Sequence, residues 1–137
     1  MVELKLNTEL YYLGHELVAS NPKAALSWYC VGCYYWCCNT LDLAQKYIQK
    51  STKVDKKYAN AWVMLGHIFS AQEESEHAVS AYRTAMRLLP GNHTPMMFMA
   101  KELLRTNYLS LASHLLVSVM CHKMQLTYIA NLHLIYS

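Results

Sequence analysis

Glycine and proline are scarce: four and three in 137 residues. That scarcity excludes collagen-like and low-complexity chains. Charge is scarce too, at 15% of residues, whereas hydrophobic side chains make up 54%, a balance that rules out disorder. The net charge is +3, and no Lys/Arg cluster exceeds a pair, so neither nucleic acid nor an acidic membrane surface is expected as a partner. The amino terminus, Met1-Val2-Glu3-Leu4-Lys5, lacks the apolar core of a signal peptide. With five cysteines, an odd count, the expectation is reduced thiols in an intracellular compartment. Ala24 to Leu41 carries eighteen residues without a charge. That run holds Ser27, Asn39, Thr40, three tyrosines and two tryptophans, and its pattern recurs later with charges interleaved, so no membrane span is expected.

What is present is a repeat. At an offset of 34, Trp28 falls on Trp62, Val31 on Leu65, Gly32 on Gly66 and Tyr35 on Phe69. Ala44 falls on Ala78 and then Ala112, while Ile48, Tyr82 and Leu116 align, as do Ser51, Ala85 and Val119. A W-x-x-[LV]-G-x-x-[YF] string with alanine twelve residues after the glycine is the tetratricopeptide pattern, a helix–turn–helix unit. The chain therefore reads as all-α, an α-solenoid of tetratricopeptide (TPR) repeats. Spacings of three and four put Trp28, Val31 and Tyr35 on one helical face. Gly32 and Gly66 are expected where helix A meets helix B closely, with Ala44 and Ala78 as the small partners opposite. Trp28, Tyr35, Trp62 and Phe69 would fill the space beside that contact. A mid-helix glycine costs about 1 kcal/mol relative to alanine, so two in one register point to packing.

The units follow. Residues 3–24 form the second helix of an incomplete unit, with Leu10, Leu13 and Leu17 on one face. Full units cover 25–58, turning near Asn39-Thr40, and 59–92, turning at Gln72–Ser75 with Ser75 as N-cap. A degenerate unit covers 93–126 and opens with Thr94 as N-cap and Pro95 at the first helical position. In it Met96, Met99, Ala100 and Leu103 replace the tryptophan, aliphatic, glycine and aromatic positions. Residues 127–137 form an incomplete or divergent tail in which Ala130, His133 and Leu134 fit the pattern poorly. No polar capping helix closes the array, so a piece of a longer solenoid is expected. Leu10, Leu13 and Leu17 at one end, and Leu126, Ile129, Leu132, Leu134 and Ile135 at the other, are expected to drive self-association.

A solenoid leaves a concave face lined by helix A positions that do not pack inward. By register these are Tyr29, Cys33 and Trp36, then Asn60, Val63, His67 and Ser70, then Met97, Lys101 and Arg105. Aromatic anchors with a few polar groups suit an extended peptide. Cys30, Cys33, Cys37 and Cys38 contain a C-x-x-C, yet no second pair supplies further ligands, so the thiols are read as packing groups without metal or cofactor. No nucleophile elbow or phosphate-cradling loop appears, and no enzyme is expected.

Some strings are more specific than the repeat consensus. They are Val31-Gly32-Cys33-Tyr34-Tyr35, the stretch Gly66-His67 through Phe69 to Gln72-Glu73-Glu74, and Gly91-Asn92-His93-Thr94-Pro95. Over about 9–118 the chain closely resembles the sixth-subunit family of TPR scaffolds in the anaphase-promoting complex; the resemblance fades beyond Met120. The resemblance implies a non-catalytic scaffold in a cell-cycle ubiquitin ligase, found in nucleus and cytoplasm. It implies neighbouring TPR subunits and a small extended subunit as partners, and homodimerisation through regions absent here. The competing reading is a stand-alone TPR adaptor for a chaperone tail, which would need Lys and Asn clustered to clamp a carboxylate. Asn60, Lys101 and Arg105 are the candidates for that clamp.

Overall fold

In a computed structural model, which describes residues 2–136, the chain is helical throughout with no strand among those residues. Seven helices follow one another: α1 Val2–Ser20, α2 Ala25–Cys37, α3 Leu41–Val54, α4 Ala59–Ala71, α5 Ser75–Leu88, α6 Thr94–Arg105 and α7 Leu109–Tyr136. Each packs on its chain neighbour. α2 and α4 begin 34 residues apart, and so in turn do α3, α5 and α7. No helix among the described residues is long and apolar enough to cross a membrane.

The same period governs the turns. Asn39, Glu73 and Asn107 each hold a positive φ, at 59°, 63° and 67°. At each, the next residue donates its amide to a carbonyl five residues back: Thr40 to Tyr35 at 3.0 Å, Glu74 to Phe69 at 2.9 Å, Tyr108 to Leu103 at 2.9 Å. These left-handed closures satisfy the last carbonyls of α2, α4 and α6. The tryptophans act on the turns between units. Trp28 Nε1 donates to the Pro22 carbonyl at 2.8 Å, and Trp62 Nε1 to the Lys56 carbonyl at 2.9 Å. Both indoles are half-buried and clamp the preceding loop; Trp28 also stacks on Tyr47, and Trp62 packs against the core.

The glycines do make the close contacts, and the nearest atoms opposite each belong to a large side chain. A Cβ on Gly32 would lie 2.4 Å from Ile48 Cδ1, and one on Gly66 2.4 Å from Tyr82 Cε1. Ile48 and Tyr82 sit one helical turn beyond Ala44 and Ala78, so each glycine receives a large side chain from helix B. Ala44, Ala78 and Ala112 are fully buried beside them, Phe69 is buried, and Tyr35 stacks on Tyr47 at 5.2 Å. Gly14, whose Cβ would meet Val31 Cγ2 at 3.2 Å, does the same between α1 and α2. That contact turns Leu13 outward, exposed, while Leu10 and Leu17 are half-buried. In the degenerate unit Met99, Ala100 and Leu103 fill the core.

Other expectations shift. Glu74, not Ser75, holds the cap position of α5; Ser75 is the first helical residue, and its Oγ accepts from Arg105 Nη2 at 2.8 Å. Likewise His93 holds the cap position of α6, and Asn92 Oδ1 accepts from the Thr94 amide at 3.0 Å, placing Pro95 second in the helix. α7 runs unbroken to Tyr136, so residues 127–136 continue the helix begun at Leu109: neither glycine nor proline interrupts 109–136. Leu132 is half-buried and Leu134 and Ile135 exposed; the side chains of Leu126 and Ile129 lie outside those described.

Candidate functional site: a cleft across the first helices of three units

A cleft of about 490 Å³ crosses α2, α4 and α6, with α5 at its floor. Trp36, His67, Ser70 and Lys101 from the sequence reading line it, together with Ala71, Tyr82, Phe98 and Glu102. The offset of 34 brings Trp36, Ser70 and their neighbours to corresponding places on successive helices, so the solenoid itself builds the cleft.

Its polar groups are tied to one another. His67 Nδ1 lies 2.8 Å from the Tyr82 hydroxyl, and its ring stands edge-on to Phe98 with centroids 4.4 Å apart. Burial, then the Lys101 charge, holds the His67 pKa below its ordinary value. A neutral ring accepts the phenol proton at Nδ1; burial and the Glu102 charge push the Tyr82 phenol up, keeping it a donor. Glu102 is 3% exposed. Burial pushes its carboxyl up, but hydrogen bonds from Arg105, Ser70 and Ser75 more than offset that, leaving it below the usual carboxylate range. Ser70 Oγ donates to Glu102 Oε2 at 2.7 Å, Arg105 Nε donates to Oε1 at 3.1 Å, and Arg105 Nη2 also reaches Oε1. A buried carboxylate needs such partners.

The other expected groove positions stand apart from this cleft. Tyr29 and Cys33 lie earlier on α2, half-buried, with Tyr29 edge-on to Tyr58 at 5.4 Å. Burial raises the Tyr29 phenol and pushes the Cys33 thiol up to about 11, so neither is a nucleophile at neutral pH. Val63 is half-buried, whereas Asn60 and Met97 are exposed outside the lining. Arg105 is spent on Glu102 and Ser75. Cys30 is half-buried and Cys37 and Cys38 are exposed; among the described residues no three His, Cys, Asp or Glu are grouped to hold a metal.

Four lining residues escaped the sequence reading: Ala71, Tyr82, Phe98 and Glu102. Tyr82 lies on α5, outside a search confined to helix A. Glu102 had a legible signal, because it falls 34 residues after Ile68, which is fully buried. A charge at a core position must be paired.

Residues 59–92 match the tetratricopeptide repeat family. The chain is 43% identical over 111 residues, 81% of its length, to anaphase-promoting complex subunit 6 of Arabidopsis thaliana, covering 20% of that protein. It is 40% identical over 82% of its length to the cell division cycle protein 16 homolog of Homo sapiens, covering 18%. A crystal structure of the APC/C hetero-tetramer Cut9–Hcn1 matches with a TM-score of 0.81 and 34% identity, over 85% of this chain and 22% of that one. The chain thus spans about a fifth of the length of the curated relatives it matches. Sequence and fold agree over that fifth: the chain is a tetratricopeptide-repeat solenoid homologous to the subunit 6 (Cdc16) family of the anaphase-promoting complex.

Proposed function

We propose that the chain is a non-catalytic scaffold segment of an anaphase-promoting complex, acting in mitosis in nucleus and cytoplasm by binding partner subunits. The observation that carries this reading is the cleft. Its aromatic walls are open, while His67 is satisfied by Tyr82, and Glu102 by Ser70 and Arg105. Such a surface binds and holds; it offers no free base beside a nucleophile. An extended segment of a small partner subunit, with large side chains against Trp36 and Phe98, is the occupant the lining suits. The homology to subunits of the complex, one of them solved as Cut9–Hcn1, supports partner subunits as the ligands. Neighbouring TPR subunits would pack along the arc, and homodimerisation would use regions outside this stretch.

The adaptor reading needs a cationic clamp from Asn60, Lys101 and Arg105. Arg105 is already committed to Glu102, and Asn60 stands outside the cleft, so the clamp is not assembled. Titrating the chain with peptides ending in an acidic carboxy terminus, and following tryptophan fluorescence, tests the distinction. No saturable change is expected; saturation abolished by Lys101→Ala would establish the adaptor instead.

A further inference from the structure

α1 and the end of α2 enclose a separate depression of about 270 Å³, which shares no residue with the cleft. It is lined by Asn7, Thr8, Tyr11, Tyr12, Tyr34 and Cys38, so among the described residues it has three tyrosines and no Asp, Glu, Lys, Arg or His. The rings stand crosswise. Tyr11 meets Tyr12 at 77° with centroids 5.7 Å apart, and Tyr34 at 61° with centroids 5.2 Å apart. Edge-on rings of this kind leave a space between them that stacked rings would close. Each is also held from behind. His15, one helical turn from Tyr11, lies edge-on to it at 4.1 Å. Tyr34 rests on Tyr35 at 5.1 Å, Tyr35 stacks on Tyr47, and Tyr47 stacks on Trp28. The last ring of that ladder already carries a cation, for Lys50 Nζ stands 3.4 Å from the Trp28 ring centroid.

We propose that Tyr11, Tyr12 and Tyr34 form an aromatic cage for a quaternary ammonium, the trimethylated side chain of a lysine in a partner protein. The face of an aromatic ring is electron-rich and attracts a cation lying within about 6 Å of its centroid. Centroid spacings of 5.7 and 5.2 Å let one cation meet that condition at all three rings. An unmodified lysine ammonium is strongly hydrated and has three N–H donors, which ring faces satisfy poorly. Three methyl groups remove the donors and loosen the hydration while keeping the charge, so the cage selects the methylated form. Its volume is smaller than the ~300–1,000 Å³ of drug-sized pockets and suits a compact headgroup on a thin alkyl stem.

Charge at the rim favours a peptide over a lipid headgroup. Glu9 and Glu16 are exposed and stand one helical turn on either side of Tyr12. Their carboxylates draw a cation toward the cage and suit Lys or Arg beside the methylated lysine. A phosphocholine headgroup carries its phosphate two carbons from the ammonium, and the same two carboxylates repel that phosphate. Binding should therefore weaken as salt screens the rim, while the ring contacts remain.

Calorimetric titration of the full chain tests this with a short capped peptide that has arginine on each side of a central lysine or trimethyl-lysine. The trimethylated peptide should bind about 10-fold tighter than the unmodified one. Tyr12→Ala should abolish that preference with an unchanged helical signal, since Tyr12 is 66% exposed, and Tyr12→Phe should keep it. Choline should compete, whereas 3,3-dimethylbutan-1-ol, of the same shape without the charge, should not. A chain carrying Trp36→Ala and Phe98→Ala should bind as the wild type does, because the cleft and the cage share no residue. Equal binding of the two peptides, a preference that survives Tyr12→Ala or is lost with the cleft residues, or equal competition by the neutral alcohol would overturn the cage. Capture of phosphatidylcholine vesicles without binding of the trimethylated peptide would overturn methylated lysine as its occupant.

Discussion

Replacing Gly66 by leucine should lower the stability of the chain by roughly 3 kcal/mol or more, the upper end of overpacking penalties. The Tyr82 ring leaves no room: three of its atoms lie 2.4–2.8 Å from where the new Cβ must stand, and Tyr82 is 2% exposed. Folded domains hold only about 5–15 kcal/mol in total, so a urea transition followed by circular dichroism should shift markedly or lose its plateau. Gly66→Ala isolates the cause. It gains about 1 kcal/mol of helix propensity and meets the same clash, so it too should destabilise, and Tyr82→Leu should reverse that loss. A Gly66→Leu chain with an unshifted midpoint would show that α4 and α5 do not meet at this glycine.

Ile48→Ala should cost about 2–5 kcal/mol, because it empties a fully buried site that faces a glycine. With no Cβ on Gly32, nothing on α2 can follow the retreating side chain. A second change then reverses sign. Gly32→Ala alone should destabilise, since its Cβ would stand 2.4 Å from Ile48 Cδ1. In the Ile48→Ala background the same methyl enters the vacated space, adds helix propensity, and should raise the midpoint. Equal effects of Gly32→Ala in both backgrounds would contradict the contact.

The period of 34 was legible because it is carried by side chains that cannot be exchanged freely. A glycine under Ile48 or Tyr82, and a buried alanine beside it, are steric necessities that leave a mark in sequence. The left-handed turns were only half legible. Asn39 and Asn107 are residues that tolerate positive φ, but Glu73 is not, and its conformation is imposed by the closure around it. The expected caps Ser75 and Thr94 fall one residue inside their helices: Ser75 Oγ is engaged by Arg105, and the Thr94 amide is taken by Asn92 Oδ1. Leu13 was misplaced because Gly14, lacking a side chain, is invisible to a search for apolar faces yet stands directly against Val31 of α2. In the cleft, register alone found Trp36, His67, Ser70 and Lys101. It could not foresee that Arg105 would be consumed by Glu102, because that depends on which buried group needs a counter-charge.

The central claim is that this solenoid works by holding subunits of an anaphase-promoting complex. It is tested most directly by enriching the tagged chain from dividing cells and identifying co-purifying proteins by mass spectrometry. Beside it should run a Trp36→Ala, Phe98→Ala chain, whose changes strip the cleft walls without touching the Glu102 network. Subunits of the complex should dominate with the intact chain and fall to background with the altered one. Chaperones in their place, or complex subunits retained equally by both chains, would contradict the cleft as the binding site.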